Sequence, residues 1–369
     1  MDTRFEFLLI SAFAGMMSAT ALAEDGNQYA FEEIRIPKAT ADEPILEKFS
    51  LEVATRYIEN GAKAWTEGRK CVSCHTNGSY LLTRPSLSKT LGPPPQQMRE
   101  FFVGQMKKLR AKEIEDLRGG LKPTEIAYIA AGLAEWDEHV TGEISEETKA
   151  ALQLMFDVQS SDGSFSNEDC WPPLESSDYH GATVAALAAA SAPGWIAQVG
   201  GPSKERFQKL VTYLKTTEPP HDYGRVLQLW VATAMPDLIS PEQTENLVDM
   251  IRSRQNADGG WALRSFAAPE DWGRGNRTEK LRAEDDAQAT PQSDGHMTGL
   301  AVLVLRAAEI DKSDPALRKA VTWLKANQRE SGRWWTRSLN TDKFHFITYS
   351  GTCYPLLALQ ACDALGEGE

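Results

Sequence analysis

A chain of 369 residues with 41% hydrophobic content is large enough to bury a full core, in one large domain or two. Its 52 acidic residues outnumber 39 lysines and arginines, and the net charge of −13 excludes electrostatic docking to nucleic acid or anionic lipid. After the first two dozen residues no stretch is long and apolar enough to span a bilayer.

Residues 1–23 read as a signal peptide. Phe7 to Ala23 is apolar, ends in Ala21-Leu22-Ala23 and gives way to Glu24-Asp25-Gly26, the form of an A-x-A cleavage site. Arg4 lies between Asp2 and Glu6, which weakens the basic segment and leaves an uncleaved anchor as the alternative. The expected address is periplasmic or secreted. Residues 24–44 read as a linker, and 45–369 as one helical domain.

The first helix starts near Leu51 and leads into Cys71-Val72-Ser73-Cys74-His75. C-x-x-C-H is the spacing of covalent c-type haem attachment, with Cys71 and Cys74 as thioether positions and His75 as the proximal ligand to iron. A structural zinc needs four ligands, and no second C-x-x-C or H-x-x-x-H completes the set. A thioredoxin-like pair needs a βαβ setting that the sequence lacks. A simple disulfide or chance match is the remaining alternative. Export agrees with haem attachment, which takes place outside the bacterial cytoplasm. Of the other cysteines, Cys353 and Cys362 are nine residues apart on one predicted helix, so any disulfide would use Cys170.

Further along, amphipathic helices are predicted near Pro95, Ser145, Ser203, Pro241 and Asp314, each followed by a more uniformly apolar one, near Lys122, Asp178, Asp222, Gln292 and Phe346. With Leu51 and His75 these make six outer–inner pairs, the pattern of a closed ring of hairpins. Three copies of Q-x-x-(D/S)-G-x-(W/F) punctuate it, at Gln159–Phe165, Gln255–Trp261 and Gln328–Trp334, where Gly is expected to form the helix C-cap. A gapless repeat pairs Ser177-Asp178-Tyr179-His180 with Ser293-Asp294-Gly295-His296.

These motifs and paired helices resemble the terpenoid cyclase and protein prenyltransferase superfamily, with its prenyltransferase/squalene oxidase repeats and members such as squalene-hopene cyclase. The resemblance covers roughly residues 45–366 and implies an all-α, (α/α)6 toroid. Squalene-hopene cyclases use a D-x-D-D acid; the nearest match here, Ala283-Glu284-Asp285-Asp286, has Ala in first place. It lies in an insertion, Ala262 to Gln292, that is expected to be either a lid or a surface loop. Lys280 and Arg282 nearby would keep its carboxylates ionised, so protonation-initiated cyclisation is expected to be absent.

Alignment of the first repeat sets the haem motif on the rim where inner helices begin. His180, His221, His296 and His345 fall on the same rim, and His180 or His296 is the candidate distal ligand. Asp178, Asp222 and Asp294 there read as N-caps. Trp195, Trp230, Trp261, Trp334, Trp335 and Tyr354 read as core, or as the lining of an apolar cavity. A rival architecture has a separate cytochrome c domain at about 45–140 with Met98 or Met106 as ligand. Met98, Phe102, Met106 and Leu109 share one helix face, however, and read as core.

The leading expectation is an exported haem c protein on a toroid, serving electron transfer with a partner protein or haem-dependent oxidation of an apolar, isoprenoid-like substrate. The rivals are a redox-free terpenoid cyclase-like enzyme and a non-catalytic toroid that binds a protein or lipid.

Overall fold

In a computed structural model, which describes residues 26–167, 171–272, 278–287 and 290–366 apart from the side chains of 285 and 286, the apolar patterning resolves into thirteen principal helices and one β-hairpin. The outer helices are α1 (Leu51–Arg69), α3 (Gln96–Arg110), α5 (Glu146–Asp157), α7 (Gly201–Thr216), α9 (Pro241–Ser253) and α12 (Pro315–Ala326). The inner ones are α2 (Ser79–Thr83, entered through a π-turn at Cys74–Gly78), α4 (Lys122–Trp136), α6 (Asp178–Ser191), α8 (Asp222–Ala234), α11 (Gly295–Ala307) and α13 (Ile347–Ala361).

Each inner helix packs on the next, and α13 returns to α2, so the ring closes as an (α/α)6 toroid. The inner helices are buried nearly all round, as in Ala182–Ala189 of α6 and Met297–Val302 of α11. The first hairpin is part of this ring. Met98 and Met106 are buried on α3, where Met98 Sδ meets the Thr66 hydroxyl of α1.

The repeated motif links neighbouring hairpins. In each copy the Gln side chain donates to the carbonyl of its own Gly, Gln159 to Gly163 at 3.0 Å, Gln255 to Gly259 at 2.9 Å and Gln328 to Gly332 at 3.1 Å. The glycine lies several residues beyond the helix end, so it forms a separate tight turn and not the expected C-cap. Its φ is positive, 94° at Gly332, and its α-carbon presses against the main chain of the following outer helix. For Gly332 that helix is α1, and the contact joins the last repeat to the first. The aromatic packs back as expected: Trp261 and Trp334 are fully buried and donate to carbonyls of their own outer helices, Ile251 and Leu324, each at 2.7 Å.

Two segments differ from the sequence reading. Part of the stretch read as a linker is a hairpin, β1 (Asn27–Phe31) and β2 (Ile34–Pro37), whose Tyr29 is buried against Trp65, Phe346 and Tyr349. Buried Arg333 holds the strap that follows it, donating to the carbonyls of Pro37 and Lys38 and pairing with Glu43. The insertion is a packed cover: it carries α10 (Thr278–Ala287), and its Trp272 is buried on His221 and Tyr223. No helix among the described residues is long and apolar enough to cross a membrane.

Candidate functional site

The Cys71–His75 segment connects α1 to the first inner helix at the rim. Lys70, in the left-handed conformation, stops α1. Asn77 then folds the loop: its carbonyl oxygen accepts from Ser73 N at 2.8 Å, and its amide donates to Cys71 O at 3.0 Å and to the Thr66 hydroxyl at 3.2 Å. Gly78 is needed because a Cβ there would lie 2.6 Å from Ser73 O. Neither residue was legible in the sequence, since a lone Asn or Gly after the motif carries no spacing signal.

Cys71 is exposed and Cys74 buried, and both line one cavity of about 400 Å³ together with Lys122, Tyr128 and Glu175. The Cys74 thiol donates to the Glu175 carboxylate at 2.7 Å, and burial, then the Glu175 charge, pushes its pKa up. His75 stacks on Phe346 at 4.8 Å and meets the edge of Trp65 at 4.7 Å. Its Nδ1 pairs with the Thr76 hydroxyl at 2.8 Å, and that hydroxyl also meets the Tyr29 phenol at 3.1 Å. Burial lowers the imidazole pKa to about 3, so the ring is neutral, with Nε2 free of hydrogen bonds among the described residues.

This donor set suits a covalently held haem: two thiols open on one cavity, beside a neutral imidazole fixed through Nδ1 with Nε2 available. His75 faces a second, narrow cleft of about 30 Å³. Cys74 and the Trp171–Glu175 segment line both spaces.

The other rim histidines are engaged elsewhere. His180 and His296 are buried. His180 Nε2 shares a hydrogen bond of 3.1 Å with Tyr128, which stands between it and the cysteine cavity. His296 has both nitrogens bonded, to Tyr223 at 3.1 Å and Ser350 at 2.9 Å, and so has no lone pair for iron. Tyr223 thus occupies His296 Nε2, whereas buried His180 Nδ1 has no hydrogen-bond partner among the described residues. Burial holds both near pKa 3. His221 caps α8 through Nδ1, and His345 Nδ1 accepts from Ser338 N. Of the three aspartates read as caps only Asp294 is one; Ser177 and His221 cap the other two helices.

Asp294 is also the residue that the sequence reading undervalued. Its carboxylate accepts from Leu263 N at 2.6 Å and Met297 N at 2.9 Å, yet burial raises its pKa to about 7. It lines a cavity of about 460 Å³ between the strap, the insertion and the loop before α13. Its signal was the repeat pairing with Asp178, which pointed only to a cap. Glu284 on α10 pairs with Arg264 and Arg337, while the expected neighbours Lys280 and Arg282 pair with Asp342 and Glu270. The side chains of Asp285 and Asp286 lie outside the described residues, as do Cys170 and the signal-peptide segment.

Residues 221–364 match the family model of the squalene-hopene cyclase C-terminal domain. The match spans inner helix α8 through α13 and includes Asp294, the insertion and two copies of the Gln-to-aromatic motif. This part of the ring is therefore squalene-hopene-cyclase-like, in agreement with the toroid. No curated protein matches the chain.

Proposed function

We propose that this chain is an exported c-type haem protein built on a squalene-hopene-cyclase-like toroid, with haem joined to Cys71 and Cys74 and His75 as iron ligand. The observation that carries the reading is that both thiols of a C-x-x-C-H segment open on one 400 Å³ cavity at the rim. Bound haem supplies one-electron chemistry, for transfer to a partner protein or for oxidation of an apolar substrate. The chain's own part is to orient His75 through Thr76 and Tyr29 and to pack its ring between Phe346 and Trp65. Protein purified after export with the haem-attachment machinery should keep its haem absorbance through acid-acetone extraction, and Cys71→Ala with Cys74→Ala should lose it. Extractable haem, or none, overturns the reading.

A second reading is favoured by Asp294 and the family match: acid chemistry on an apolar, isoprenoid-like substrate. A carboxyl held near pKa 7 is partly protonated at neutral pH and opens on a cavity, which is the arrangement of a general acid. Incubation with squalene decides it. Cyclic products lost in Asp294→Asn would establish this reading, and their absence from the unaltered protein would remove it.

A further inference from the structure

The 460 Å³ cavity at the toroid mouth has the size of a small-molecule site. Five cations line it: Lys38 from the strap, Arg264 and Lys280 from the insertion, and Arg337 and Lys343 from the loop before α13. Three carboxylates face them. Glu284 pairs with Arg264 at 2.9 Å and Arg337 at 2.6 Å, and Asp342 pairs with Arg337 at 3.0 Å and with Lys280. Asp294 is turned to main-chain amides.

Lys38 and Lys343 have no carboxylate within ion-pair distance among the described residues. Both ammonium groups instead lie against the ring of Phe344, 5.0 and 5.8 Å from its centroid. Lys38 is held in position, since buried Arg333 donates to the carbonyls of Pro37 and Lys38. Trp335, braced edge-on by His345 at 4.6 Å, adds an apolar wall.

We propose that this cavity binds a small molecule that carries an anionic group, carboxylate or phosphate, on an apolar body, with the anion at Lys38 and Lys343 and the body against Trp335. A cavity built only for a hydrocarbon gains nothing from two lysines that lack a carboxylate partner among the described residues, whereas an anion in the cavity they line offsets their charge. The site is separate from the cysteine cavity. It shares its walls with the acid reading of Asp294 but needs no proton from that residue.

Calorimetric titration of the full protein with phenyl phosphate, benzoate and benzyl alcohol tests the site and separates the two anion sources. Phenyl phosphate or benzoate should bind at least tenfold tighter than the neutral alcohol, and the tighter of the two names the headgroup. Lys38→Met with Lys343→Met should weaken that anion at least tenfold and leave benzyl alcohol unchanged. Should the double variant fold poorly, exposed Lys343→Met alone should weaken it about threefold. Anion binding should persist in Asp294→Asn, so loss of the acid reading leaves this proposal standing. Equal affinity for all three probes, no binding by any, or anion binding indifferent to the lysines overturns it.

Discussion

The phenol of Tyr223 donates to Nε2 of His296 across 3.1 Å in the centre of the ring. The direction follows from the neighbouring bonds. Ser350 spends its single hydroxyl proton on Ile347 O at 3.0 Å, so its oxygen accepts from His296 Nδ1 at 2.9 Å, and Nε2 is left without a proton. Buried polar aromatic pairs thus join neighbouring inner helices. Tyr128 and His180 form the equivalent pair two repeats away, and His180 stacks on Tyr223 at 6.5 Å.

Tyr223→Phe should leave His296 Nε2 buried without a donor. The expected loss is about 1–3 kcal/mol, the desolvation cost of an unsatisfied polar group. Urea unfolding followed by circular dichroism measures it. If the double variant Tyr223→Phe, His296→Phe recovers none of that loss, the pair contributes through shape and not through this bond.

Gly332→Ala should be more damaging than an average surface change. A Cβ at φ 94° would lie 2.3 Å from Val53 O, against the main chain of α1, where the last repeat meets the first. Strain and displacement together should cost about 3 kcal/mol or more. A Gly104→Ala control, with nothing within 4 Å of the new carbon, should leave the melting temperature nearly unchanged.

Acid should weaken the fold through the neutral histidines. His75, His180 and His296 have folded pKa values of about 3 against 6.5 for the free residue, so the unfolded chain binds more protons between those values. Stability is full above pH 6.5 and falls as pH drops below it, by about 1.4 kcal/mol per pH unit for each histidine. Asp294 acts oppositely. Its folded pKa of about 7 exceeds the ordinary 3.8, so the native state binds the extra proton and its contribution declines as pH rises from 4 to 7. Asp294→Asn should therefore gain on the unaltered protein across that interval, and the doubly apolar Tyr128→Phe, His180→Leu should flatten the acid limb. Urea midpoints between pH 4 and 8 check both slopes.

Local pattern settled the ring. The alternation of amphipathic and apolar helices, the Gln-to-aromatic turns and the placement of rim residues follow from periodicity and turn chemistry, which act over a few residues and are written in the chain. The C-x-x-C-H spacing likewise singled out Cys71, Cys74 and His75 as neighbours on one loop. Whether two thiols share a cavity, however, depends on Glu175 and Tyr128 from other repeats, and whether His296 has a free nitrogen depends on Tyr223 and Ser350, 73 and 54 residues away. The same holds for Asp294. Its sequence neighbours make it a helix cap; burial in the closed ring raises its pKa, against the lowering effect of the hydrogen bond it accepts from the Leu263 amide. Burial, partner and charge balance are sums over residues brought together only when the ring closes, and so the tertiary structure alone decided them.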